Sequence, residues 1–256
     1  MMHCRSLHNT LQPGRAHRQT RRTGGTRGAC DPRPAATDLA AAEPSLALLK
    51  FALIASLRDL DTSAHMLRVG QLSGLIALEL TGDRLYAERV CRAAPFHDIG
   101  KICIDDAILK KPGPLDADEW TQMRRHPELG GQLMHVPGNP LFAIAEEIAR
   151  GHHEKFDGSG YPAGLAGEAI PLSARIVAVA DYFDALTMDR CYRAAMPVAQ
   201  VLAMMRALSG RHFDPRALAV LEACIVRVRE LNAEVDALAA AREGQELDES
   251  VFAPLF

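Results

Sequence analysis

The sequence predicts an all-α fold, a helical bundle with extra helices at its C-terminal end. Three observations lead there. Alanine and leucine abound while β-branched runs are short, which favours helix. Apolar residues recur at i, i+3 and i+4 through most of the chain. The periodic stretches are separated by short clusters of Asp, Asn, Gly and Pro that start and stop helices.

Composition narrows the possibilities. The chain has 256 residues, enough for one large domain or two small ones, with 48% hydrophobic residues and one tryptophan. A formal net charge of −3 gives no sign of bulk nucleic-acid binding, so DNA is not an expected partner. The six cysteines, Cys4, Cys30, Cys91, Cys103, Cys191 and Cys224, form no C-x-x-C pair, which excludes a zinc ribbon and suits a reducing cytosol. No apolar run is long enough to span a membrane, and no secretory signal follows the first methionine, so a cytoplasmic location is expected.

In chain order, residues 1–43 are rich in Arg, Gly, Pro, Thr and His, with Arg5, Arg15, Arg18, Arg21, Arg22, Arg27 and Arg33 among them. So little apolar surface predicts a disordered basic arm, with His3, His8 and His17 solvated. Its glycines and prolines exclude an amphipathic transit peptide. From Pro44, Leu46, Leu49, Leu53 and Leu57 mark a buried helical face. A second helix is expected from Asp61 to Leu80, with Asp61, His65 and Arg68 on one side. Thr81-Gly82-Asp83 breaks it, and Asp83 caps a third helix with Leu85, Ala93 and Phe96 in its apolar stripe, ending at His97-Asp98. A non-helical link from Ile102 to Leu115 follows. Asp116 and Glu119 then form a capping box for a helix that carries Trp120 and Met123 inward and reaches His126-Pro127. His135 reads as surface or packing.

A helix from Leu141 to Gly151, led in by Gly138-Asn139-Pro140, ends at His152-His153. The loop Glu154 to Leu165 is rich in glycine, and a loop that elaborate in a helical body reads as functional. The next helix, Pro171 to Met188, places Asp181 and Asp184 on one face. Further helices are expected near Pro197 to Leu208 and after the N-cap Asp214 with Pro215 at the first helical position. The stripe Val228, Leu231, Val235, Leu238 predicts a protruding amphipathic helix over Ile225 to Ala241, and an acidic frayed tail covers 244–256.

The chemistry lies in Asp61, His65, His97, Asp98, His126, His152, His153 and Asp181. These five histidines and three carboxylates fall on separate helix ends and faces that converge if the helices pack as one bundle. They exceed one tetrahedral site. A mixed N/O set without thiolate suits two or three ions such as Fe or Mn. Paired metals are standard equipment for hydrolysing phosphate esters.

Taken in order, His97-Asp98-Ile99-Gly100-Lys101, His126-Pro127, His152-His153-Glu154, Asp157-Gly158-Ser159-Gly160-Tyr161-Pro162 and Asp181-x-x-Asp184-Ala185-Leu186-Thr187 resemble the HD-GYP domain, a branch of the HD phosphohydrolase superfamily. The resemblance runs from about Leu57 to Cys224. It implies an HD-type helical bundle, a catalytic domain over 44–243, and a metal-dependent phosphodiesterase opening cyclic di-GMP to pGpG and onward to GMP. The alternatives are another cyclic dinucleotide, or a catalytically weak cyclic di-GMP-binding module. By resemblance, His65, His97, Asp98 and Asp181 hold one divalent ion, and Asp98 bridges to a second held by His126, His152 and His153. A third would need Asp61, where relatives usually carry Glu and a shorter carboxylate reaches less far. Lys101 resembles a phosphate-contacting residue, and Tyr161, Asp184, Arg190 and Arg193 resemble the residues holding the dinucleotide. The implied protein partners are a diguanylate cyclase, a receiver or sensor protein, and a second copy in a homodimer. Cys103-Ile104-Asp105-Asp106 stands where relatives read Gly-Ile-Pro-Asp, and no receiver pattern precedes the HD motif.

Overall fold

A computed structural model describes residues 63–189 and 194–241. The expected basic arm, the Leu46–Leu57 helix, Asp61, Arg190, Arg193 and the acidic tail lie outside the described residues. Every regular element within them is helical. In order these are α1 (Ser63–Thr81), α2 (Arg84–Ala93), α3 (Asp106–Leu109), α4 (Ala117–Met123), α5 (His126–Met134), α6 (Pro140–Gly151), α7 (Leu172–Thr187), α8 (Val198–Ala207), α9 (Pro215–Ala223) and α10 (Ile225–Ala240). Three 3₁₀ turns, Ala94–Phe96, Ile99–Cys103 and Gly167–Ala169, join them. Strand pairing among the described residues is limited to the isolated bridges Asp157–Ala166 and Ser209–Phe213.

The centre is α1 and α7. Val69, Ile76 and Ala77 of α1 and Ile176, Val177, Val179 and Ala180 of α7 have no exposed surface. Fully burying each large aliphatic side chain is worth about 1.5–3 kcal/mol against exposure. Helix α2 packs on α1 and α6, α5 packs on α6, and α9 and α10 pack on α1.

Local signals set the boundaries. Asp83 caps α2 by accepting from the Tyr86 amide, and Asp116 and Glu119 complete a reciprocal capping box on α4. Asn139 accepts from Leu141 and Phe142 to start α6, and Asp214 accepts from Arg216 to start α9.

Several expectations are corrected. Helix α2 ends at Ala93 rather than at His97-Asp98, and the chain tightens into a 3₁₀ turn containing Pro95, which has no N–H to continue an α-helix. Leu85 is 55% exposed, whereas Ala93 and Phe96 of the expected stripe are buried, joined by Ala87, Val90 and Cys91. The link after Lys101 is partly helical, because Asp105 caps the single turn α3. Trp120 is 48% exposed and does not enter the core. Helix α4 stops before His126, which opens α5 with a proline behind it. Helix α10 does not protrude throughout, since Val228, Asn232 and Val235 are buried and only Leu238 of the expected stripe is well exposed.

Candidate metal centre

Five segments deliver the donors. His65 stands on α1, His97 and Asp98 lie between two 3₁₀ turns, His126 opens α5, and His152 and His153 follow the last residue of α6. Asp181 comes from the middle of α7. Close backbone approach brings them together. A Cβ on Gly100 would collide with the His126 carbonyl and the Gly130 amide, so glycine lets the turn after Asp98 lie directly against α5.

The donors form two groups. Asp98, His126, His152 and His153 each offer a ligand atom, all within 4.8 Å of one another; His65, His97 and Asp181 do the same. Asp98 lies between the groups. One carboxylate oxygen is 3.1 Å from His126 Nε2 and 3.5 Å from His152 Nε2, and the other is 3.3 Å from His97 Nε2. His65 Nε2 and His97 Nε2 lie 3.5 and 3.8 Å from one Asp181 oxygen.

Hydrogen bonds fix which ring nitrogen faces inward. His97 Nδ1 donates to the Ala94 carbonyl at 3.0 Å, His126 Nδ1 to Met123 at 2.8 Å, and His152 Nδ1 to Ile148 and Ala149 at 3.1 Å each. His65 Nδ1 donates instead to the Asp184 carboxylate at 2.7 Å. A neutral imidazole with its proton on Nδ1 presents a bare lone pair at Nε2. His65 Nε2, His97 Nε2 and Asp98 Oδ1 are buried without a hydrogen-bond partner. Buried acceptors crowded against one another are costly, and a cation among them removes the cost. The residues therefore fit divalent metal ions of the N/O-preferring kind.

The electrostatics agree. Burial alone would raise the Asp98 carboxyl, but the charges of Lys101 and His97 and the facing imidazoles hold it well below the usual carboxylate range. Burial lowers His152 and His153, keeping both neutral, the form that ligates. Burial would lower His97 too, yet the Asp98 and Asp181 carboxylates outweigh it and raise it to about 9. Bound metal would compete with that proton.

Around the centre, Lys101 Nζ is 2.7 Å from Asp98 Oδ2. Tyr161 stacks on His153 at 4.8 Å, and the Arg124 guanidinium lies over the Tyr161 ring at 5.1 Å. Tyr161, expected to help hold the dinucleotide, thus has two neighbours at its ring. Asp184, expected to hold substrate, is 1% exposed and instead holds His65 and Arg68 from beneath. His135 is exposed and pairs with Glu146 at 2.8 Å, as a surface residue.

Sequence reasoning missed two residues that organise the site. Glu154, 2% exposed, accepts from the amides of Ala163, Gly164 and Leu165 at 2.7–3.1 Å and folds the loop over its own base. A carboxylate placed directly after two donor histidines and before a glycine-rich loop was the available signal. Arg68 forms a two-bond fork on Asp184, at 2.6 and 3.2 Å. Its place three residues past His65 was visible, but its partner was not.

A family model described as an HD domain matches residues 44–217. The chain is 48% identical over 164 residues to the cyclic di-GMP phosphodiesterase response regulator RpfG of Xanthomonas campestris, covering 64% of this chain and 43% of that protein. It is 40% identical over 179 residues to a cyclic di-GMP phosphodiesterase of Thermotoga maritima, covering 70% and 48%. It is 42% identical over 164 residues to the 3'3'-cGAMP-specific phosphodiesterase 2 of Vibrio cholerae, covering 64% and 31%. The chain thus spans less than half the length of each of these curated relatives.

Proposed function

The chain belongs to the HD-domain family, and from that premise we propose that it is a metal-dependent phosphodiesterase acting on cyclic di-GMP. The observation that carries this is the pair of donor groups meeting at Asp98, with Lys101 on its rim. His65, His97, Asp98 and Asp181 would hold one ion, and Asp98, His126, His152 and His153 another; Fe or Mn suits such ligands. Ions there would supply an activated water near neutral pH and positive charge for the phosphoryl oxygens.

The protein's own residues do the rest. Asp98 stays ionised between the groups, and the Nδ1 hydrogen bonds aim His97, His126 and His152 inward. The Lys101 ammonium stands at the edge of the centre, where charge on a non-bridging phosphate oxygen grows during the reaction. The loop over residues 154–165 closes the His153 side and presents Tyr161, and Arg124 reaches that ring from the end of α4. An Arg guanidinium there offers a planar fork for a phosphate or a guanine edge. Linear pGpG is the expected first product, with GMP after a second cut.

Two relatives named as cyclic di-GMP phosphodiesterases support cyclic di-GMP, and one named for 3'3'-cGAMP supports a second reading with that dinucleotide as substrate. That one relative is called a response regulator, of which this chain covers 43%, supports control by a receiver or sensor protein. The exposed Cys103 and half-buried Cys224, which form no disulfide among the described residues, fit the cytosol. The test is to strip the protein of metal, reload it anaerobically with Fe(II) or Mn(II), and follow both dinucleotides. Metal-dependent conversion of cyclic di-GMP at a higher kcat/KM than 3'3'-cGAMP is expected. Preference for the latter would favour the second reading, and turnover of neither would overturn both.

A further inference from the structure

The inward-facing histidines are held in two different ways. His97, His126 and His152 donate Nδ1–H to carbonyls three or four residues earlier in the chain. Those bonds form wherever the local turn forms. His65 is held by a side chain, the Asp184 carboxylate, which comes from α7.

Asp184 is in turn clamped. Its oxygens accept from Arg68 Nε at 2.6 Å and Nη2 at 3.2 Å. Arg68 lies one helical turn past His65 on α1, so one helix face presents both the donor and its support. The guanidinium is 7% exposed and has one further hydrogen-bond partner among the described residues. Arg68 Nη1 donates to Asp236 Oδ1 at 2.9 Å, and Asp236 belongs to α10. With Nε and Nη2 on one carboxylate and Nη1 on another, the planar guanidinium has no freedom to turn. The order is Asp236, Arg68, Asp184, His65, and it ends at an Nε2 facing Asp181.

We infer that Arg68 and Asp236 are positioning residues for the His65, His97 and Asp181 donor group, and that α10 tunes metal affinity at that group alone. The inference rests on the metal reading above. Carboxylates that orient a ligating histidine typically matter 10- to 100-fold in metal affinity. Asp236 acts two bonds further out and is half exposed, so roughly a threefold to tenfold effect is expected from it.

The test titrates Mn(II) into the metal-stripped full chain by calorimetry. Wild-type protein should take up Mn(II) in two steps, and His65→Ala identifies the step belonging to its own group. Asp236→Ala should weaken that step roughly threefold to tenfold and leave the other within about twofold, and Asp236→Glu should restore it. Because Asp236 is half exposed, its replacement leaves the core intact, and an unchanged melting temperature of the metal-free protein checks this. Arg68→Lys, which keeps charge but loses the fork, should weaken the same step more than Asp236→Ala. An unchanged His65 step in Asp236→Ala, or equal weakening of both steps, would overturn the inference. Failure of the wild-type protein to bind Mn(II) would instead overturn the metal reading, and the inference with it.

Discussion

Asp98 touches more of the centre than any other side chain. One oxygen faces His126 and His152, and the other faces His97 and Lys101. Removing it empties the junction between the groups, so Asp98→Ala should lose metal and turnover together. Metal content and kinetics measured on one preparation decide this: full activity with metal retained would refute a bridging role. Lys101 poses the complementary question, because a protonated lysine has no lone pair for a metal. Lys101→Ala should keep its metal and lose roughly two to three orders of magnitude in kcat/KM, the usual loss of one electrostatic stabiliser. Near-normal turnover with metal bound would restrict Lys101 to pairing with Asp98.

Among the elements, the loop from Glu154 to Leu165 depends most on a single group. Three amides converge on the buried Glu154 carboxylate, and a Cβ at Gly160 would strike the backbone of His153 to Lys155. Outside contacts also hold it, since Phe156 N donates to His212 O at 3.1 Å and Asp157 N to Arg211 O at 2.8 Å. Glu154→Ala should therefore cost about 3 kcal/mol while freeing only the loop's tip. Hydrogen exchange should quicken at residues 163–165 and change little at 156–157. Equal protection at both places would show that the carboxylate is not the anchor.

The elements also show what was legible in advance. Asp83, Asp116 with Glu119, Asn139 and Asp214 cap within three residues of themselves, and each was readable from its neighbours. Donor types and their order were readable for the same reason. The outward placement of Leu85 and Trp120 was not, because a short helix can present a large residue on either side until its packing partner is known. Nor was the burial of Asp184. Its partners His65 and Arg68 stand 119 and 116 residues away, and no spacing rule reaches that far.

At the scale of the whole molecule, the two donor groups draw on α1, the 3₁₀ turns, α5, α6 and α7, so the centre and the core are one structure. None of these elements comes from residues 1–43, whose composition provides little apolar surface. A protein beginning near Glu43 should fold, bind the same metal and turn over at the full rate. Loss of catalysis in a folded truncation would assign the arm a part in the reaction.

The contrast between locally and remotely held histidines has a consequence in time. As the chain leaves the ribosome, the Asp98-centred group has all its residues once His153 is made. The other group waits for Asp181, 28 residues later, and its support waits for Asp236, 83 residues after His153. At about 5–20 residues per second, that last interval is roughly 4–17 s. During synthesis, therefore, every residue of one group exists before the other group has its last donor, although both need α7 in the core before they can take their final places.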